Sequence, residues 1–381
     1  MKNNQQTLKS GDARAEIFLF DNGTEVREVH AMIHVDKPGL PFSNQVQTIS
    51  ECSASLFEKE LQGFVPVFKR YYLSDSANQV ETLRKELETE DCACSVIEQA
   101  PLDGTKIALW IYGMTNIRKE RTESGLYSVK HGKFNHLWGG SFYNELENSE
   151  AQTTELFHSY IGKLQKENCS LADNCIRTWF FVRDVDRNYA GVVRARNNVF
   201  ATQGLTSQTH YISSTGIGGR QASGKVLVQM DAYAVENIAQ RQIHYLYAPT
   251  HLNRTSEYGV SFERGTYVDY GDRRQVFISG TASIDNKGAV VYQGDIVRQT
   301  QHMWENVEKL LEEAECGWDD VSEMSVYLRD VADASVVRRM FAEKFPNKPY
   351  VIVYAPVCRP GWLIEMECMA VKTIKTGFEN F

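Results

Sequence analysis

The chain has 381 residues, a formal net charge of −8, and apolar and charged fractions of 42% and 24%. That is long enough for two or three domains with cores of their own. The acidic balance excludes bulk binding of nucleic acid or an anionic membrane, while leaving room for a local basic pocket.

The N-terminal stretch MKNNQQTLKSGDARAE has no apolar core, and no run reaches the length of a membrane span. A cytoplasmic protein without a secretory signal is expected. The cysteines Cys52, Cys92, Cys94, Cys169, Cys175, Cys316, Cys358 and Cys368 are scattered. Only Cys92 and Cys94 are close, and C-x-C alone is not a zinc site, so free thiols and no metal are expected. His30 and His34, in HAMIH, lack ligands to complete a set and read as core or surface residues.

In chain order, three segments repeat one pattern. Near the start, FKRYYLSD (68–75) precedes a helical stretch, SVIEQAP and IALWIYGM (107–114). This copy reads as the most degraded; its first helix is at best 47–61. In the middle, the helix ELFHSYIGKLQKENCS (155–170) precedes TWFFVRDV (178–185), a helical stretch through 194–200, THYISSTGIGG, and VLVQMDAYAV (226–235). The segment 237–258 reads as a connector that is either an irregular linker or part of a pocket. In the last copy FISGTASID and AVVYQGDI read as two strands around a turn at 285–287. The helix HMWENVEKLLEEAECG (302–317) follows, with apolar residues at helical spacing and Gly317 as its stop. MSVYLRDV (324–331) comes next, and then strands at 350–354 and 362–371.

Each copy reads β-β-α-β-α-β-β, an α+β unit with helices on one face of a mixed sheet. Boundaries near Thr115 and Asn237 give units 1–115, 116–236 and 237–381. Three related units imply a pseudo-threefold arrangement with pockets between units, in a monomer or a homotrimer.

The last strand of the last copy alternates Glu365 and Glu367 with Ile364, Met366 and Cys368, sending carboxylates to one face. By gapless alignment Glu365 falls opposite Gln229 and Trp110, and Cys358-Arg359 opposite Asp103-Gly104. A carboxylate present in one copy suits a single acid/base site; the alternative is a solvated glutamate. Arg264 beside Gly265 in SFERGTYVDY combines a carboxylate-gripping cation with a backbone that admits close approach. In SSTGIGGR, Thr215 and Gly216 lie in a loop that presents N–H groups to an anion or merely joins strands. Arg177, Arg194 and Arg196 are solvated or, in one case, face the pocket.

FISGTASID, the WENVEKLLEEAECGWDDV helix, VYLRDVAD and IEMECMAV resemble the YjgF/Rid family over about 258–372. That resemblance implies a chorismate-mutase-like unit with ligand pockets at trimer interfaces. RTWFFVRDV, RARNNVF, STGIGG, FERG and VCRPGWLIEME further resemble the chorismatases, which are fused enzymes of this kind, over roughly 170–372. The resemblance implies release of pyruvate from chorismate, a dianion. It assigns the catalytic glutamate to Glu365 and marks the 3-hydroxybenzoate-forming type by Cys358 and Gly265. Glu263 departs from the family's serine and puts local polarity in doubt. Arg264 with Arg359 or Arg196 would bind the carboxylates, Tyr211 and Tyr350 would add hydroxyl donors, and Cys358 would shape the pocket. No cofactor is required. The related imine deaminases hold their substrate with an arginine where this chain has Tyr350, which argues against that activity. A non-catalytic small-molecule binder is the other reading.

Overall fold

The computed structural model describes residues 4–381; the first three residues of the N-terminal stretch read above lie outside it. The first unit comprises β1 (Asn4–Ser10), β2 (Ala13–Phe20), β3 (Glu28–Val35), α1 (Phe42–Ser55), β4 (Phe64–Leu73), α2 (Ser76–Leu87), β5 (Ala93–Glu98) and β6 (Ile107–Thr115). The middle unit opens with β7 (Arg118–Arg121), β8 (Tyr127–His131), β9 (Phe134–Tyr143), α3 (Ser149–Lys166) and a single turn, α4 (Leu171–Asn174). It closes with β10 (Cys175–Val182), α5 (Val185–Thr202), β11 (Ser213–Gly218) and β12 (Val228–Glu236). The last unit comprises β13 (Ile243–Leu246), β14 (Gly265–Asp269), β15 (Arg273–Ala282), α6 (Ile296–Glu313), β16 (Val321–Leu328), α7 (Ala334–Lys344), β17 (Tyr350–Tyr354) and β18 (Ile364–Thr373).

Each unit is one six-stranded sheet, ordered β1-β2-β3-β6-β4-β5, β7-β8-β9-β12-β10-β11 and β13-β14-β15-β18-β16-β17. The final pair in each order is parallel and joined through a helix, as a crossover requires. The architecture is therefore three repeats of one α+β unit.

Several local expectations need correction. The first unit is complete: α1 starts at Phe42, and a wide turn at Leu56–Glu60 ends it. AVVYQGDI is not a strand, and only the isolated bridge Ile284–Val290 remains of that hairpin. The extra strand comes from the connector, where β13 pairs with β14. STGIGG is β11 rather than a loop. α6 stops at Glu313, not Gly317, because Glu315 takes a left-handed φ of 54° and the Cys316 N–H returns to the Leu311 carbonyl.

The helix α6 forms because Asp295 caps its first turn and Met303, Val307, Leu310 and Leu311 make one apolar stripe. That stripe packs on β15 and β18. The opposite sheet faces meet along the pseudo-threefold axis. There the units exchange buried charge: Arg70 Nη2 lies 2.9 Å from Asp231 Oδ2, and Arg177 Nη2 lies 2.6 Å from Glu367 Oε2. Glu367 Oε1 also accepts from the Trp179 indole and the Tyr327 hydroxyl, both at 2.9 Å. Rings of Phe68, Trp110, Trp179 and Phe181 pack around the Arg70 guanidinium.

A β-bulge recurs at Pro66/Phe68, Cys175/Arg177 and Val321/Glu323 and fixes the correspondence between units. Glu365 pairs with Tyr327 as Gln229 pairs with Phe181 and Ala108 with Tyr72. Ala108, not Trp110, is thus the first-unit counterpart of Glu365. The loops also shift by one. Gly218 N–H bonds to Pro356 O as Tyr354 N–H bonds to Ala100 O, so Cys358 and Arg359 stand opposite Leu102 and Asp103.

Candidate active site

Glu365 is not solvated. It is 4% exposed and lines a cleft between the middle and last units, about 500 Å³ of space that includes its opening to solvent. Across the sheet β15 bulges between Ile278 and Thr281, and Gly280 at that bulge lets the carboxyl lie flat against the strand. A Cβ there would overlap Glu365 Oε1. Burial pushes the carboxyl up to about 8, with the charge of Glu367 adding to the effect and Arg264 and Arg177 opposing it. Glu365 therefore carries its proton at neutral pH.

Above the carboxyl, arginines and aromatic rings alternate along one wall. Arg196, from α5, lies 5.5 Å from the Phe262 ring. Arg264 lies 5.6 Å from both Phe262 and Tyr258. Arg359 lies 4.7 Å from Tyr258 and 5.0 Å from Trp362. The backbone carbonyl and side-chain oxygen of Asn253 hold the Arg264 guanidinium. Arg196 is 1% exposed, yet its Nε and Nη2 have no partner. None of the three arginines makes an ion pair among the described residues. Burying a cation without its counterion is costly unless a ligand supplies it.

Of the residues singled out from sequence, Glu365, Cys358, Arg264, Arg359, Arg196 and Gly216 line the cavity. Cys358 stays a thiol, because burial first and then the charge of Glu365 push its ionisation up. Thr215 lies behind the lining: its hydroxyl accepts from Arg177 Nη2 at 2.6 Å and from Gly280 N–H at 2.9 Å, bracing the bulge. Gly265 sits in β14 with Leu246 and the Phe277 carbonyl too close for a Cβ, so it admits backbone contact rather than a ligand. Two expectations are corrected. Tyr350 faces a different cleft, between the first and last units. The head of β11, which holds the same register in the middle unit, brings Ser214 to the Glu365 cavity instead. Tyr211 packs on Phe200 outside the cavity, and its N–H bonds to Glu263 Oε1 at 2.9 Å. Glu263 is thereby tied away from the ligand space. Arg177 is buried, not solvated, and Arg194 pairs with Glu150 on the surface.

Sequence reasoning missed Tyr189, Tyr258, Phe262, Trp362 and Gly280. Tyr189 had a signal: it lies seven residues before Arg196 in α5, two turns along one helix face. Tyr258 closes the connector in a short turn, so the pocket-lining reading of that segment holds there.

The other two clefts differ. Between first and last units, His34 bonds to Asp103 at 3.2 Å and to the Tyr350 carbonyl at 3.1 Å. Burial works against its charge, but Glu16 and Asp103 outweigh burial and push it up to about 9. His30 instead stacks on Tyr112 in the core, and burial lowers it to about 3. Between first and middle units, Gln229 donates to Ser95 and Ser141, beside a cleft lined by Glu90, Cys94, Gly140 and Ser141. Glu90, Cys92 and Cys94 bring ligand-type atoms within 4.8 Å of one another. Lys69 already neutralises that carboxylate at 2.5 Å.

The fold and site define a fused, three-unit protein of the YjgF/Rid kind, with Glu365 in the cleft between the middle and last units. Residues 262–372 match the endoribonuclease L-PSP family. A RutC family protein of Pyrococcus abyssi is 34% identical over 99 residues, covering 26% of this chain and 78% of that relative. The 3-aminoacrylate deaminase RutC of Acinetobacter baylyi is 32% identical over 97 residues, 25% of this chain and 77% of its own length. The chain belongs to the RutC family. A chorismatase crystal structure superimposes with a TM-score of 0.63 at 16% identity, covering 80% of this chain and 92% of that one, so the fused fold is shared. No helix among the described residues is long and apolar enough to cross a membrane.

Proposed function

We propose that this protein is a chorismatase, releasing pyruvate from chorismate to give 3-hydroxybenzoate. The observation that carries the reading is the pairing of a protonated Glu365 with three arginines that have no counterion, in one cleft. A dianionic enol ether meets both demands. Arg264, Arg196 and Arg359 take the two carboxylates. Glu365 delivers its proton to the vinyl methylene carbon, creating an oxocarbenium ion at the ether carbon. Attack by the neighbouring ring hydroxyl on the ring carbon then breaks the ring carbon–ether oxygen bond and frees pyruvate, while the hydroxyl proton goes to the Glu365 carboxylate and restores the acid. The arene oxide that remains rearomatises to 3-hydroxybenzoate. Attack by water on the oxocarbenium carbon would give the dihydroxycyclohexadiene carboxylate instead. A cavity walled by Phe262, Tyr258 and Trp362, and narrowed by Cys358, supports the route without water.

Mass analysis of the products formed from chorismate tests the reading, with pyruvate release followed in parallel. Glu365→Gln is expected to lose activity by a factor of about a hundred or more. Activity within a few-fold of wild type removes Glu365 from the mechanism.

A second reading, imine deamination, is favoured by the similarity to the Acinetobacter baylyi deaminase. It predicts ammonia release from dehydrated amino acids. The cavity argues against it: a monocarboxylate leaves two of the three arginines unmatched, and the register position of the deaminase arginine holds Ser214 here and Tyr350 in the other cleft.

A further inference from the structure

The cavity lining contains three buried donor atoms without a partner: Nε and Nη2 of Arg196, and Nε1 of Trp362. A substrate carboxylate answers the arginine. The indole N–H is unexplained. Trp362 is 6% exposed and lies in the loop between β17 and β18, its own N–H bonded to Arg359 O at 3.0 Å. The loop is fixed to α6, since Gln299 donates to Gly361 O and accepts from Leu363 N–H, both at 3.0 Å. The ring face carries Arg359. The indole is thus held by its backbone and its face, and its one polar atom is turned to no protein acceptor. A buried donor left in this state costs free energy that a ligand acceptor would recover.

The chemistry of the proposed substrate selects the acceptor. Three cations already serve the charged oxygens, and they outcompete a neutral N–H for them. Two neutral oxygens remain, the ether and the ring hydroxyl. Protonation of the methylene makes the ether oxygen electron-poor, so a donor aimed there would oppose the step. The hydroxyl oxygen has two lone pairs, so it can accept from the indole with one and attack with the other. Resting on the function proposed above, we infer that Trp362 is a specificity-determining residue whose indole N–H donates to the ring hydroxyl oxygen of the substrate. It discriminates against enol ethers that lack this hydroxyl and holds the hydroxyl in place beside the ether-bearing carbon.

The test uses binding, so that chemistry does not interfere. The Glu365→Gln protein is titrated with chorismate and with the analogue carrying hydrogen in place of the ring hydroxyl, each with and without Trp362→Phe. Phenylalanine keeps an aromatic face for Arg359 while removing the N–H and part of the ring, and the deoxy analogue controls for the lost packing. The expected result is about ten-fold weaker binding of chorismate and less than about two-fold change for the deoxy analogue. Equal weakening of both ligands, or none, means that the ring acts through packing alone and overturns the inference. If wild type releases no pyruvate and the Glu365→Gln protein does not bind chorismate, the proposed function itself has failed and the inference falls with it.

Discussion

The raised ionisation of Glu365 makes an opposite demand on stability and on activity, and Glu365→Gln separates the two. In the folded chain the carboxyl ionises near 8, against an ordinary value of 4.5. The fold therefore binds this proton more tightly than the unfolded chain does, and stability falls as pH climbs from about 4.5 to 8. At about 1.4 kcal/mol per pH unit, the acid costs the fold about 2 kcal/mol at pH 6 and about 5 kcal/mol at pH 9. Glutamine occupies the same space beside Gly280 without the titration. Glu365→Gln is thus expected to stabilise the protein at both values, by roughly 2–3 kcal/mol more at pH 9 than at pH 6. Urea unfolding at the two pH values measures the difference. The wild-type rate should be flat below about 8 and fall tenfold per pH unit above it, since the acid form is the active one. A gain that does not change with pH, or a net loss of stability at pH 9, refutes the idea that a buried neutral carboxyl is maintained here.

Arg196→Met should leave the unfolding midpoint unchanged or raise it, because it removes a buried cation with no partner. The same change should raise KM for the dianion by about a hundred-fold, read from initial rates of pyruvate release. Gly280→Ala places a methyl against Glu365 Oε1 and the Thr215 methyl. It should lower kcat at least about a hundred-fold with little change in KM, since a misplaced acid costs the chemical step and leaves carboxylate binding intact.

The repeat was legible because the inner strands keep their ends: FKRYYLSD, TWFFVRDV and MSVYLRDV become β4, β10 and β16. Glu365, Arg264, Arg359 and Cys358 were legible because one short segment and one loop carry them. The strands β7 to β9 were not, since segments such as KHGKFNHLWGGSFY mix His, Lys, Asn and Gly with the apolar residues and blur the period of two. Nor was the placement of Tyr350. Each unit offers β17 or its counterpart to the next cleft round the axis, so Tyr350 and Glu365 share a unit but not a pocket. A linear alignment gives equivalence within a unit and cannot tell which neighbour a strand will meet. Trp362 stood in a motif that was read for its cysteine and arginine; its significance comes from an unpartnered atom, which only tertiary structure reveals.

Fusion of the copies makes the axis and the clefts possible in their present form. In a symmetric trimer the same side chain meets itself three times on the axis, so an arginine at the level of Arg70 would face two more arginines. Here its counterparts are Trp179 and Ser325, and the next level holds Trp110, Asp231 and Glu367. Opposite charges therefore meet where identical copies would repel. The clefts obey the same logic. Placing His34 against the Tyr350 carbonyl in one, or Gln229 against Ser95 in another, would be repeated at all three in a trimer of identical subunits. With the copies joined, each cleft is free to take its own lining. The cleft between the middle and last units combines the buried Glu365 with cations that lack a counterion, and fusion confines that cost to one cleft instead of three.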